Sequence, residues 1–273
     1  MAKTFAPDLA RDEKGRIIFP RDVEWRRKLF VPESMQHPAK ANMHLVQAIY
    51  RYVGEPGETL MDVMSGTGTL MMAAVEGYKV ICLEIEPVFH FLQLESYNKL
   101  VMEHSVNPEL VLNLHGDCRV FLPLPVDHII FSPPYANTLK FTAKADSTKA
   151  LGGSTYMHQH GEGSVFDDYQ GSKGNLGRQT SFFFNQEMKK IYGLCLESLR
   201  PGGTLTIIIQ DQMRQQKRVG LTEWAVRTCC NQGFEMQDWF MRYSEGTGYK
   251  KLLKSKGYSV VDEEDVVILR KPA

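Results

Sequence analysis

Two short stretches carry residue types whose spacing can do chemistry. In DVMSGTGT, residues 62–69, an acidic residue precedes two glycines, Gly66 and Gly68, one residue apart. Glycine lets the backbone come close to a ligand, and a helix N-terminus following such a turn favours an anionic group. Asp62 can accept hydrogen bonds from an ammonium group, and the hydroxyls of Ser65 and Thr69 are further candidate contacts at the same turn. Glu84 follows Asp62 by 22 residues, at a point where a carboxylate suits the two hydroxyls of a ribose. Asp117, in HGDC, can receive an adenine amino group, and the Cys118 backbone N–H can meet the adenine ring. The set fits an adenosine-bearing cofactor. NAD is disfavoured because Met71 stands where GxGxxG needs its third glycine, and a P-loop because no GK[ST] follows. An acceptor for an ammonium group favours S-adenosylmethionine (SAM), which has one. A GxG turn alone also serves as a plain tight connection between strand and helix.

The second stretch is SPPY, Ser132, Pro133, Pro134 and Tyr135, which closes the apolar run DHIIF. Each proline fixes its own φ and restricts the residue before it, so two in succession make a stiff turn whose carbonyls cannot join a sheet ladder. Fixed acceptors beside a fixed ring form a receptor for a planar heterocycle bearing an exocyclic NH2 group. Such a nitrogen is a poor nucleophile because its lone pair is delocalised. Hydrogen bonds from its two N–H groups to Ser132 Oγ and the Pro133 carbonyl would draw it toward tetrahedral geometry. Positioning of this kind can supply roughly 7–11 kcal/mol of a barrier in well-oriented cases.

These residues need a scaffold. Residues 42–53 repeat apolar positions at helical spacing behind Asn42, a candidate N-cap. TLMDVM, KVICLEI, ELVLNLHGD, DHIIFS and TLTIIIQD read as five buried strands. Between them lie SGTGTLMMAAVEGY, an amphipathic helix EPVFHFLQLESYNKLVMEH with Pro87 in its first turn, and SFFFNQEMKKIYGLCLESLRPGG, a helix closed by Pro-Gly-Gly. LTEWAVRTCCNQG is a further helix, followed by the strands FEMQDWFMRYS and DVVILRKP. The core strands are continuously apolar, the signature of a mainly parallel sheet covered on both faces. The last two strands have no convincing crossover, YKKLLKSKGY being short and loop-like, so an antiparallel edge pair is expected. Residues 1–36 show weak periodicity and are expected to wrap the surface as an extension of a single domain, 37–273. That domain carries a long polar insertion at 136–180, a length usual for functional loops.

The chain has 273 residues, equal numbers of acidic and basic groups, and five cysteines with no CxxC. An odd cysteine count without a disulfide pattern, a polar N-terminus and the lack of any run near ~20 apolar residues suggest an intracellular, non-membrane protein. A polyanion would have to be held by local patches, and the candidates are WRRK at 25–28, RQQKR at 214–218 and YKKLLKSKGY at 249–258. His158 and His160 lack the surrounding ligands of a metal site, and no metal is expected. SFFF at 181–184 reads as core, or as rings backing a bound base.

Taken together the motifs resemble the SAM-dependent amino-methyltransferases of nucleic acids. DVMSGTGT resembles their cofactor motif, LEIEP their ribose segment, SPPY their [DNS]PP[YFW] tetrad, and LRPGGTLTIIIQD a later helix-to-strand element. HPAKANMHLV, with Lys40, resembles the segment that closes over the methionine end of SAM. The resemblance covers about residues 37–215 and implies a Rossmann-like α/β fold, doubly wound, with seven strands in the order 3-2-1-4-5-7-6 and strand 7 antiparallel. It also implies methyl transfer to an amino group of a flipped DNA base, cytosine N4 first by the serine of SPPY and adenine N6 second. RNA or a protein glutamine amide remain alternative acceptors, and a SAM-binding scaffold without transfer is the non-enzymatic one. With no room for a separate recognition domain, the 136–180 loop would recognise substrate, helped by Arg214, Lys217, Arg218, Lys250 and Lys251 as phosphate contacts.

Overall fold

The computed structural model describes residues 3–36, 40–134, 172–214, 216–244 and 248–273. Seven strands form one sheet in the order β3-β2-β1-β4-β5-β9-β8. They are β1 (Thr59–Asp62), β2 (Lys79–Glu84), β3 (Val111–His115), β4 (Val126–Phe131), β5 (Leu199–Ile209), β8 (Glu235–Tyr243) and β9 (Glu263–Arg270). The first five run parallel, and β9 is antiparallel to both β5 and β8. A hairpin of β6 (Gln212–Arg214) and β7 (Lys217–Val219) follows β5 directly. Sheet order therefore reverses between β1 and β4, as the resemblance implies.

Successive residues of the central strands feed two separate cores. Leu60, Ile130, Ile208 and Val266 join α1 (Val23–Leu29), α2 (Met43–Val53) and α3 (Pro87–His104) on one face. Met61, Ile129, Ile207 and Val267 join α5 (Ser181–Ser198) and α6 (Leu221–Cys230) on the other. Burial on both sides is why these strands read as unbroken apolar runs. The helix ends follow local chemistry. Asn42 Oδ1 accepts from Leu45 N at 3.1 Å and caps α2, and Pro87 sits in the first turn of α3.

Four expectations need correction. Residues 1–36 do more than wrap the surface, since Phe5, Ile17, Leu29 and Phe30 are part of the core. α3 is not cleanly amphipathic, because Phe91 and Met102 are exposed on it. Helix α5 stops at Ser198, and LRPGG belongs to β5: Leu199 pairs with Val126 before the register shifts to His128↔Thr204. Proline forces the residue before it into extended geometry, which suits a strand better than a helix end. YKKLLKSKGY does form a helix, α7 (Gly248–Ser255), whose short polar sequence hid it.

Candidate functional site

β1 and β4 are hydrogen-bonded neighbours with Met61 level with Ile129, so Asp62 and Ser132 leave adjacent strands at the same edge of the sheet. Such strands lie about 4.8 Å apart. The glycine turn and the Ser132-Pro133-Pro134 turn thus face one crevice, at the point where strand order reverses. Pro133 is buried, while Ser132 and Pro134 are half-buried. Tyr135 lies outside the described residues, as does nearly all of the 136–180 insertion, His158 and His160 included.

The glycine turn is held from three sides. Glu84 at the end of β2 accepts from Gly66 N at 2.7 Å and from Glu86 N at 2.8 Å. Ser65 Oγ donates to the Leu83 carbonyl at 2.9 Å. Gln93, fully buried on α3, donates through Nε2 to Ser65 Oγ at 2.7 Å and to the Gly66 carbonyl at 2.6 Å. Gly68 has φ +78°, and a Cβ there would lie 2.6 Å from Met71 Cε and 3.0 Å from Gln93 Cγ. Only glycine meets both conditions. Thr69 then opens a 310 helix, Thr69–Glu76, in place of the expected α-helix.

Two carboxyls at this turn are electrostatically unusual. Burial pushes Asp62 up to about 7, against one hydrogen bond accepted from Met64 N at 2.9 Å. Burial likewise pushes Glu84 up to about 8, opposed by its two backbone donors and reinforced by the charges of Glu86 and Asp62. Both are desolvated acids that would ionise more readily beside a cation or hydroxyl donors. SAM, with ammonium and sulfonium groups and a ribose, supplies both, so these residues fit it.

Asp117 caps α4 (Cys118–Phe121) by accepting from Arg119 N at 2.9 Å. Both its oxygens also receive the Arg119 guanidinium, whose Nη1 reaches Glu187 on α5. Burial would raise the Asp117 carboxyl, but the Arg119 contacts outweigh it and hold it below the usual range. An adenine amino group arriving here would share oxygens that Arg119 already occupies. Cys118 is buried, and its thiol is raised to about 12 by burial.

The chain returns from the insertion onto these same loops. Ser172 Oγ donates to the Ile85 carbonyl and to Glu86 Oε2, each at 3.0 Å, and Asn175 Nδ2 donates to Glu86 Oε1 at 2.6 Å. Gly174 lies so close that a Cβ would sit 2.8 Å from Ile85 Cδ1 and 2.9 Å from Asp117 Oδ2. Phe184 is core, as one reading of SFFF has it, whereas Phe182 and Phe183 are exposed at the start of α5.

Of the basic candidates, WRRK is not a solvated face throughout. Arg26 is only 1% exposed and donates to Thr69 Oγ1 at 3.0 Å. Lys40 is half-buried, and its Nζ donates to the Met35 carbonyl at 2.6 Å. Burial, aided by the Arg26 charge and opposed by Asp22, lowers it to about 8. Lys217 and Arg218 lie on the hairpin after β5, beside the crevice, with Arg214 on its first strand. Arg218 is shared between Asp211 at 2.7 Å and Glu263 at 2.6 Å. Lys250 and Lys251 fall on α7, their side chains outside the described part. Among the described residues no cluster of His, Cys, Asp or Glu can hold a metal, and no helix is long and apolar enough to cross a membrane.

Nothing in the sequence gives Gln93, Arg119 or Asn175 a role, and Arg26 and Glu86 read there only as members of WRRK and LEIEP. Only Arg26 left a usable signal there, an acidic residue, Asp22, one helical turn earlier.

No protein-family model and no curated protein matches the chain. Solved structures do. TrmN from Thermus thermophilus has a TM-score of 0.52 at 16% identity, covering 90% of this chain and 52% of that one. The [4+2]-cyclase SpnF has a TM-score of 0.52 at 16% identity, covering 85% and 81%. A methyltransferase from Pyrococcus furiosus has a TM-score of 0.49 at 13% identity, covering 87% of each chain. The chain spans about half the length of TrmN. A cyclase among these structures shows that the scaffold does not itself dictate the reaction. From strand order, antiparallel β9 and the likeness to TrmN and SpnF, the chain has the Rossmann-like fold of class I methyltransferases.

Proposed function

We propose that this protein is a SAM-dependent methyltransferase acting on the exocyclic amino group of a DNA base, cytosine N4 first and adenine N6 second. One observation carries the reading: the acidic glycine turn after β1 and the Ser132-Pro133-Pro134 turn after β4 leave neighbouring strands at one edge. Asp62, Ser65, Gly66, Gly68, Thr69 and Glu84 would hold the cofactor, with Lys40 toward its amino-acid end and Asp117 and Cys118 toward its adenine. When bound, SAM supplies a methyl group on an already electrophilic sulfonium.

The chain's own part is positioning. Ser132 Oγ and the Pro133 carbonyl accept the two amino N–H groups, which localises the nitrogen lone pair and aims it toward the glycine turn. No strong base is required, and the proton released from the methylated nitrogen passes to water. The Tyr135 ring would stack on the base, returning roughly 1–3 kcal/mol of the few that flipping requires.

Incubation with tritiated SAM and separate pools of DNA, RNA and protein tests this, followed by nucleoside mass spectrometry of the labelled pool. Label in DNA as N4-methylcytosine is expected, and protein that binds SAM yet labels no DNA refutes the substrate. A second reading, transfer to a glutamine amide in protein, is favoured by one observation. Arg218 is neutralised by Asp211 and Glu263, which leaves that part of the rim little attraction for phosphate. Label confined to the protein pool would establish it.

A further inference from the structure

Arg26 sits in a run of basic residues, yet it is buried and joins three segments of chain. Its Nη1 donates to Thr69 Oγ1 at 3.0 Å, and its Nη2 donates to Asp22 Oδ2 at 2.9 Å and to the Ala41 carbonyl at 2.6 Å. Asp22 Oδ2 also accepts from Met43 N at 2.9 Å. One ion pair thereby pins the residue after Lys40, the first residue of α2 and the first residue of the 310 helix behind the glycine turn.

The arrangement is poor as plain glue. Burying a guanidinium is costly, and apolar residues of similar volume often stabilise a core as well as or better than an ion pair. Among the described residues Arg26 Nε, itself buried, has no hydrogen-bond partner. Beside it lies a second cation, the half-buried Lys40, whose Nζ donates to the Met35 carbonyl. Asp22 pairs with Arg26 and acts on both cations, so among these three groups positive charge is in excess. Both lie on the Thr69 side of the turn, whereas Glu84 grips its other part at Gly66 N.

We infer that Arg26 is a positioning residue for the amino-acid end of the cofactor, fixing Thr69 and the Lys40 segment and supplying positive potential for an α-carboxylate. The inference rests on the proposed reading of the site as a SAM site. Arg26 acts through Thr69 and the 40–43 segment, so its removal should be felt by a ligand that has the amino-acid end and not by one that lacks it.

The test is calorimetric binding of SAM and of 5′-methylthioadenosine, which keeps the nucleoside and lacks the amino acid, to wild type, R26K, R26M, T69V and R26M/T69V. R26M should weaken SAM at least tenfold and methylthioadenosine by no more than about twofold, with R26K recovering part of the loss. The losses in the double variant should be less than additive, since the Arg26–Thr69 hydrogen bond that T69V removes is already gone in R26M. Equal losses for the two ligands, or none for either, would overturn the inference while leaving the SAM site standing. Wild type that binds no SAM would overturn the site and the inference together. If R26M does not fold, R26K decides by the same comparison of ligands: a loss confined to SAM supports the inference, and equal losses or none overturn it.

Discussion

Asp62 should make the empty protein less stable as pH rises, and its replacement by asparagine should remove that dependence. Its carboxyl titrates near 3.8 in an unfolded chain and is pushed up to about 7 by burial in the fold. Between those values the unfolded chain gives up the proton more readily, so stability falls as pH rises from about 4 and levels off above about 7. The full shift corresponds to roughly 4 kcal/mol, and since Asp62 is half-buried we expect about 2–4. Asparagine keeps an oxygen for Met64 N, which now lies 2.9 Å from Asp62 Oδ1, and carries no charge. Asp62→Asn should therefore raise Tm by about 5–10 °C at pH 8, with the gain shrinking to about a quarter at pH 4.5. Ligand binding should move the opposite way. A cation beside Asp62 favours the ionised form, so wild-type SAM affinity should rise about tenfold from pH 6 to pH 8 through this group. The asparagine variant should bind SAM at least tenfold more weakly at pH 8, keeping only the part of the slope that Glu84 provides. Thermal unfolding followed by circular dichroism across pH, with titration calorimetry alongside, reads both effects. Parallel Tm profiles for the two proteins would refute the reasoning, because Asp62 would then carry no burial penalty for a ligand to relieve.

Gly68→Ala combines a left-handed φ of +78° with a Cβ 2.6 Å from Met71 Cε, and should destabilise by about 1–3 kcal/mol and weaken SAM binding, as read by denaturant unfolding and calorimetry. Gln93→Leu leaves the Gly66 carbonyl without its 2.6 Å donor, and should destabilise by about 1–3 kcal/mol and loosen SAM binding with it, measured the same way. Ser132→Ala removes one of the two proposed amino-group acceptors and should slow methyl transfer by roughly 10²-fold with SAM affinity unchanged; single-turnover kinetics separates the two. Arg119→Met frees the Asp117 oxygens but breaks the tie to Glu187, so it should lower Tm while raising the Asp117 pKa, which pH titration by NMR would follow.

The parallel sheet was legible because residues such as Leu60 and Met61, or Ile129 and Ile130, face separate cores and must both be apolar. The glycine turn and the proline turn were legible because few residues can adopt those backbones. What stayed hidden depends on partners far away in the chain. Arg26 reads as one of several surface cations until Thr69, 43 residues on, is seen against it. Gln93 reads as a polar position on an amphipathic helix, and only the fold puts Gly66 under its amide. Asp117 reads as a free acceptor because nothing in HGDC announces that Arg119 will fold back over it. The end of α5 was misplaced because Pro201 and its glycines suit a helix terminator and a strand bend alike, and pairing with β4 decides between them.

Ser172, Gly174 and Asn175 give the molecule a seam. The chain departs beside the proline turn at Pro134 and is fastened again at Glu86 and Ile85, next to the glycine turn. One end of the intervening stretch therefore leaves from the end of β4, and the other is fastened to the loop after β2. A stretch of different length and composition could join these two ends with the strands undisturbed, so under the proposed reading the acceptor could change while the residues that would hold the cofactor stay as they are.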